Sequence, residues 1–396
     1  MSNVLSVSTL RVYRLEIPLE TVYDISYGSF DAVENVVVRV ETESGLAGWG
    51  CAAPDPHVTG ESIEGNLDAL RELLVPALRQ SREATVEELL REVGEAAPRD
   101  PAARAAVDLA LHDVWGKQRG VSVQALLGGT RRRIPTSITI GIMSIEDTCK
   151  AAAGHLAQGF QILKIKGGRD PEEDIARVRG VRRVHGPGVA IRLDVNQGYS
   201  VDQAREVMGA LAGEVEFLEQ PVAADDLDGL AALAAEAVVP VMADEAVLGP
   251  EQAQELMDRG LRLLCVKLMK SGGLSAAARL CDIAQEHGAR VMIGCMDELP
   301  ISIAGAAHLA LSHPAVVYAD LDGHIDMLQE VARGGLEIRS GSVSVTGAPG
   351  LGVQIDERKL EEFRVFRGRL QAPGTGGSSV SAAASVFFSM VIPVKP

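Results

Sequence analysis

The chain has 396 residues, is 46% hydrophobic, and carries a formal net charge of −16 from 54 acidic against 38 basic side chains. That apolar content can bury a large core, and at roughly 150 residues per domain the length suggests two domains. The acidic balance argues against nucleic acid or an anionic membrane surface as partner, and says nothing specific about substrate.

In chain order, "MSNVLSVSTLRVYRL" lacks a basic segment followed by a long apolar one, so no signal peptide is expected. "NVVVRVET" (Asn35 to Thr42) and the following "SGLAGWG" read as antiparallel strands joined by a glycine turn. "PAARAAVDLALHDVWGKQRG" predicts a helix opening at Pro101 and ending before Gly120, its alanine-rich face suited to close packing. From Ile134 onward short apolar runs alternate with helical stretches: "IPTSITIGI", "FQILKIK", "VAIRLDVN", "VEFLEQP", "VPVMADEA", "LLCVKLMK", "ARVMIGCM" and "AVVYADLD". Strands buried on both faces have this texture, and the repeated βα alternation predicts an α/β barrel of the TIM type. After Asp322 short strands return, as in "GGLEIRSGSVSVTGAPGLGV", and both chain ends are expected to build one small α+β domain flanking the barrel. "APGTGGSSVSAAASVFFSMVIPVKP" reads as a disordered or loosely packed tail too short to cross a membrane. Cys51, Cys149, Cys265, Cys281 and Cys295 form no CxxC pair and read as reduced thiols of a cytoplasmic protein, Cys265 as core.

Several barrel strands end in charge. Asp194 closes "IRLD", Glu219 closes "EFLE" and Asp244 closes "VMAD", with one βα unit between each and the next. Three successive carboxylates thus face one barrel mouth, where barrel active sites lie. Their mutual repulsion calls for a divalent cation, and all-oxygen ligation favours Mg²⁺ or Mn²⁺. A lone acid at a strand end is better read as a cap for the next helix, as Asp244-Glu245 could be. In "ILKIKGG" the alternation puts Ile162, Lys164 and Lys166 on one strand face, and Lys267 lies on the sixth strand, roughly across the barrel from the second. Lys270, past the strand end, reads as snorkelling to solvent.

Such a set can remove a proton from carbon next to a carboxylate. The cation offsets the charge that develops, and the base must be neutral near pH 7. Lys164, a second ammonium on the same face, is expected to depress the pKa of Lys166 by like-charge repulsion. A lysine on each face of one carbon permits racemisation or epimerisation, and a substrate with a β-leaving group would turn the same site into a lyase.

"AVDLALHDVWGKQRGVSVQALLGG" (Ala106 to Gly129), "KIK", "DVNQGY", "EQP", "ADEAV" and "KLMKSGG" together resemble the enolase superfamily, in its muconate-lactonising subgroup, over nearly all of the chain up to about residue 370. The resemblance implies a modified (β/α)7β TIM barrel. It would have an N-terminal capping domain (1–128), the barrel (129–325), a C-terminal return completing the cap (326–371) and a tail (372–396). It implies Asp194, Glu219 and Asp244 as ligands of one Mg²⁺ per subunit, with Mn²⁺ as a substitute. Lys166 and Lys267 would be the acid/base pair, with Lys164 tuning Lys166. The seventh strand ends "IGCMDE" without the histidine of mandelate-racemase-type members, which favours a Lys/Lys mechanism. A homo-oligomer is also implied.

Within the subgroup, Asp320 and Asp322 of "YADLDGHIDM" resemble the DxD of dipeptide epimerases, where that pair binds the substrate α-ammonium. Glu298 of "GCMDE", which the resemblance implies as a further substrate contact, and a lid loop "PHVTGES" (Pro56 to Ser62) resemble the same group. The expected function is a Mg²⁺-dependent dipeptide epimerase, the alternative a muconate-type cycloisomerase or an o-succinylbenzoate-synthase-like dehydratase. The resemblance departs in one place: the first lid loop, "ETVYDISYGSFDAVEN", has neither Arg nor Lys to bind a glutamate side chain. Ala-Glu is therefore not expected to be the best substrate. Asp24 and Asp31, with Tyr23, Tyr27 and Phe30, point to a hydrophobic or cationic second residue, and Asp24 and Tyr27 are the loop's candidate substrate contacts.

Overall fold

The computed structural model describes residues 4–80, 84–236, 238–329, 331–362 and 389–393. The N-terminal part is an antiparallel meander of β1 (Val7–Ile25), β2 (Gly28–Thr42) and β3 (Ala47–Ala52). It lies against the helix Pro101–Arg119, which opens on its proline and ends on Gly120 at φ 68°. The alanine face packs closely: a Cβ at Gly48 or Gly50 of β3 would strike the carbonyls of Ala110 and Ala106.

The segment expected as a first lid loop is instead mostly strand. β1 and β2 run out into a long hairpin, with Tyr23 paired to Phe30 and Ile25 to Gly28 around a turn at Ser26-Tyr27. Period-two alternation through "TVYDI" and an aromatic cross-strand pair favour strand here.

After the short β4 (Ile134–Pro135) the barrel follows as β5 (Ile138–Ile140), β6 (Ile162–Lys166), β7 (Ala190–Asp194), β8 (Leu218–Glu219), β9 (Val241–Met242), β10 (Leu263–Lys267), β11 (Arg290–Gly294) and β12 (Val316–Ala319). Strands β5 to β9 and β10 to β12 form two parallel sheets. An Ala243–Leu264 bridge joins them, and the Ser137 amide closes the ring on the Ala319 carbonyl at 3.2 Å. A helix fills every interval from β5 to β12, and none follows β12 directly. The architecture is an α/β, (β/α)7β barrel.

Period two also layers the interior. Phe217, Met242 and Cys265 sit two residues before Glu219, Asp244 and Lys267 and form, with Leu263 and Met292, a buried apolar floor. Cys265 therefore belongs to packing. Level with the floor the Arg192 guanidinium lies 5.2 Å from the Phe217 ring and 5.1 Å from that of Tyr318.

After β12 the chain forms β13 (Ala332–Gly334), β14 (Leu336–Arg339), β15 (Ser342–Val345) and β16 (Val353–Ile355). β13 pairs with β16, and β14 with β15, which in turn pairs with β4. The Leu351 amide donates to Asp113 on the long capping helix at 2.8 Å. Most of the segment read as a tail lies outside the described residues. Its β17 (Ser389–Pro393) pairs antiparallel with the edge of β1, at variance with a wholly disordered tail. Among the described residues no helix is long and apolar enough to cross a membrane.

Cap and barrel are held together through buried polar contacts. Asp108 of the capping helix accepts from the Leu274 amide at 2.6 Å, just past the strand that carries Lys267. Asn35 of β2 accepts from the Leu299 amide at 2.9 Å and donates to the Asp297 carbonyl at 3.1 Å. These contacts set the β1–β2 hairpin and the Ala53–Glu64 segment over the barrel mouth.

Candidate active site

Between cap and barrel lies a cavity of about 440 Å³ lined by Lys164, Lys166, Lys267, Asp320 and Asp322 from the barrel and by Tyr23, Tyr27, Phe30 and Asp55 from the cap. The three strand-end carboxylates Asp194, Glu219 and Asp244 are fully buried just below it. β6 presents both lysines inward, as its alternation predicts, with Lys164 2% and Lys166 8% exposed.

Lys164 Nζ lies 3.0 Å from Glu219 Oε1, 2.8 Å from Asp320 Oδ2 and 3.0 Å from Asp194 Oδ2. Lys166 Nζ donates to Asp194 Oδ2 at 2.7 Å and to Asn196 Oδ1 at 2.9 Å. Lys267 Nζ sits 2.7 Å from Asp244 Oδ2. In the ring of strands β6 and β10 are four apart, so Lys166 and Lys267 face the cavity from opposite walls.

The electrostatics differ from the expectation of a neutral Lys166. Burial pushes its pKa down and Lys164 adds repulsion, but the Asp194 carboxylate outweighs both and holds it above the ordinary lysine range. Lys267 is likewise raised, with Asp244 overcoming burial. Glu219 moves the other way: burial first, then the neighbouring Asp194 charge, push its carboxyl up to about 8.

Lys270 is a correction to the sequence reading. It does not snorkel; it is 1% exposed and donates to the carboxylate and carbonyl of Asp244 and, at 3.1 Å, to the Cys265 carbonyl. Two lysines thus share one carboxylate, a need that the Asp244 position alone did not reveal.

Asp320 and Asp322 both reach the cavity. Asp320 accepts from Ser137 Oγ at 2.6 Å and from Lys164. Burial opposes its ionisation, but Lys164 overcomes this and lowers its carboxyl to about 2. Burial and the Asp320 charge raise Asp322 to about 7, although its Oδ2 accepts the Thr139 amide at 2.6 Å.

The substrate-contact expectations divide. Tyr27 lines the cavity, its ring 4.5 Å from that of His57 and its hydroxyl 3.3 Å from Asp55 Oδ2. Asp24 does not, because alternation along β1 turns Thr21, Tyr23 and Ile25 inward and sends Asp24 out, 3.7 Å from Arg169. Glu298 is also off the wall, where its neighbour Asp297 stands instead. Glu298 Oε1 accepts the Met296 amide at 2.7 Å, and its Oε2 is buried without a hydrogen-bond partner.

Burial raises the Glu298 carboxyl to about 7. A raised folded-state pKa means that the ionised form destabilises the fold: the penalty is absent below the unfolded pKa near 4, grows to about pH 7 and persists above it. Glu298→Gln should therefore raise stability by about 1–3 kcal/mol near pH 8 and make no difference near pH 4. Thermal unfolding of both proteins across that range checks it, and a gain independent of pH would refute the assignment.

Sequence reasoning passed over several residues that hold this geometry. Asn196, left-handed at φ 40°, bridges Lys166 to Glu245 Oε1, the latter at 3.1 Å. Gln220, at φ 37°, accepts the Asp244 amide at 2.8 Å through its side chain and so sets the start of the next loop. The signal lay in "DVN" and "EQP", where the residues after the carboxylates are amides able to adopt left-handed backbone.

The carboxylates suit a hard divalent cation. Glu219 Oε2 is buried without a hydrogen-bond partner, and Glu219 and Asp244 bring ligand atoms, together with the Cys265 sulfur, within 4.8 Å of one another. Burial holds that thiol protonated, which leaves the oxygens as the donors for a hard ion. Asp194 shares the Lys164 ammonium with Glu219, while Asp244 faces Lys267 and Lys270.

Residues 8–128 match the mandelate racemase/muconate lactonizing enzyme N-terminal domain, and residues 147–359 match the enolase C-terminal domain-like family. An L-Lys-D/L-Arg epimerase from Desulforapulum autotrophicum is 38% identical, over 88% of this chain and 99% of the relative. The L-Ala-D/L-Glu epimerase of Bacillus subtilis is 36% identical, over 86% of this chain and 94% of its own. The crystal structure of a dipeptide epimerase from Methylococcus capsulatus, complexed with Mg and the dipeptide L-Arg-D-Lys, superposes with a TM-score of 0.83. It is 38% identical and covers 88% of this chain and 99% of that one. By these matches the chain belongs to the mandelate racemase/muconate lactonizing enzyme family of the enolase superfamily.

Proposed function

We propose that the protein is an epimerase that inverts the α-carbon of the second residue in a dipeptide, and that it prefers cationic dipeptides. The observation that carries the preference is the charge of the cavity wall. Among the described residues the lining has no basic side chain apart from the three barrel lysines, and Asp55, Asp297 and Asp326 stand on it in addition to the Asp320 and Asp322 pair. Other acids on the wall are committed elsewhere: Arg14 pairs with Glu34 at 2.7 Å and Glu64 at 2.9 Å, and Glu61 accepts the Ala102 amide at 2.9 Å. A glutamate side chain would meet uncompensated negative charge here, and a lysine or arginine would be welcomed. The Desulforapulum and Methylococcus relatives support the same reading.

Asp194, Glu219 and Asp244 would hold Mg²⁺, which supplies fixed positive charge to offset the negative charge building on the substrate carboxylate. Asp320 and Asp322 would bind the substrate α-ammonium. That places the reacting carbon between Lys166 and Lys267. The neutral lysine on one face takes the α-proton onto its Nζ, the electron pair spreads into the carboxylate, and the ammonium opposite returns a proton to the other face. Two protonation states have exchanged and one stereocentre has inverted. With a divalent cation bound, Asp194 would pull less on the Lys166 ammonium, and repulsion from Lys164 would lower its pKa.

Mass-detected α-deuteration in D₂O, with Mg²⁺ and a panel of dipeptides, tests the reading. L-Lys-L-Arg and L-Arg-L-Lys should exchange with kcat/KM at least about tenfold above L-Ala-L-Glu, which corresponds to about 1.4 kcal/mol of discrimination. Faster exchange of L-Ala-L-Glu would refute the cationic preference, and no exchange of any dipeptide would refute epimerisation.

A further inference from the structure

A buried ionic cluster outside the cavity stands directly behind the strand end that carries Lys166. Asp174 is 0%, Arg177 2% and Tyr199 5% exposed, and none of them lines the cavity. Arg177 Nη1 donates to the Lys166 carbonyl at 2.8 Å, and its other terminal nitrogen pairs with Asp174 Oδ1. Asp174 Oδ2 accepts the Gly168 amide at 2.7 Å and the Tyr199 hydroxyl. A Cβ at Gly167 would lie 2.6 Å from that carboxylate, one at Gly168, at φ 98°, would strike the Val195 carbonyl, and one at Gly198 would strike the Gly168 backbone. The Gly167 amide donates to the Asp194 carbonyl at 2.8 Å. The turn after Lys166 is thus clamped from both sides.

A buried charge pair is weak evidence of stabilisation, since desolvation offsets most of the attraction. Apart from Arg177 Nε, which is buried without a partner, every hydrogen-bonding end of this one addresses backbone within two residues of Lys166 or belongs to the cluster itself. We infer that Asp174, Arg177 and Tyr199 are positioning residues that fix the reach of Lys166 into the cavity. The role rests on the acid/base assignment above, in which Lys166 serves one face of the reacting carbon and Lys267 the other. A loosened clamp moves only one of the two proton-transfer groups. Lys267 is carried on β10, across the barrel from β6, and the segment after it is tied to the cap through Asp108 and the Leu274 amide.

This asymmetry separates positioning from general structural support. The readout is α-hydrogen exchange in D₂O measured separately for each epimer of a substrate dipeptide by Tyr199→Phe, Asp174→Asn and Lys166→Ala, each loaded with Mg²⁺. Tyr199→Phe keeps the ring in place and serves where Asp174→Asn fails to fold. Exchange of the epimer whose proton Lys166 removes should fall by about 10- to 100-fold in the two cluster variants, as expected for a displacement of about 1 Å. The other epimer should stay within about twofold of the parent protein. An equal loss for both epimers, or no loss for either, overturns the positioning role. Lys166→Ala is the control: if it too fails to silence one epimer selectively, the acid/base assignment falls and the positioning role with it.

Discussion

Replacing Lys267 by alanine is expected to lower interconversion of the two epimers by about 10²- to 10⁴-fold while α-hydrogen exchange of one epimer continues. β10 stands across the barrel from β6, so a carbon held between them keeps Lys166 on one face when Lys267 is removed from the other. A proton removed by Lys166 can be replaced by solvent deuterium on the same face, which gives exchange without inversion. Folding should survive the change, because Asp244 retains Lys270 as a partner. The check is NMR or mass detection of deuterium at the α-carbon, with chiral analysis of the product. Exchange of both epimers at the parent rate, in a folded variant, would sink the two-base reading.

Asp244→Asn should act on stability. The one carboxylate faces Lys267 and Lys270, and all three side chains are buried. Removing it leaves two interior ammonium groups without their charged partner. Breaking a buried ion pair from one side typically costs about 3–5 kcal/mol. Lys270 keeps its bonds to the carbonyls of Asp244 and Cys265, which sets the expectation at the lower end, about 3 kcal/mol. The sign with pH follows from the same contacts. Burial alone would raise the Asp244 carboxyl, but the two lysines overcome it and hold it far below the ordinary carboxylate range. A depressed folded pKa contributes stability that is present above the unfolded value near 3.9 and is lost as pH falls further. The gap between parent and variant in denaturant unfolding should therefore be full at about pH 7 and shrink below about pH 4. A gap of under about 1 kcal/mol at neutral pH would show that Asp244 does not carry these two charges.

Much of the site was legible in local pattern. Asp194, Glu219 and Asp244 each close an apolar run, and inward pointing at a strand end is settled by alternation over a handful of residues. The same alternation put Lys164 and Lys166 on one face and left Phe217, Met242 and Cys265 below as floor. It was less useful where strand gives way to loop. Asp297 and Glu298 are adjacent acids after β11, and only the packing of that loop against the cap decided that Asp297 lines the cavity while Glu298 turns inward. Asp24 and Tyr23 could have been separated by period two, had the hairpin been recognised as strand rather than loop.

The order of barrel elements, the ring of acids at its mouth and the paired lysines on one strand face were determined by sequence alone, because each follows from short-range periodicity that a folded core enforces. The carboxylate partners of those lysines were decided only by tertiary structure. Lys164 was the near neighbour in sequence and argued for a neutral Lys166, but Asp194, on the next strand, lies 2.7 Å away and reverses the sign. The burial of Lys270 against Asp244 and the clamp of Asp174, Arg177 and Tyr199 on the Lys166 turn belong to the same class. Electrostatic energy depends on distance through space and on local dielectric, and neither quantity is written in the order of residues along a chain.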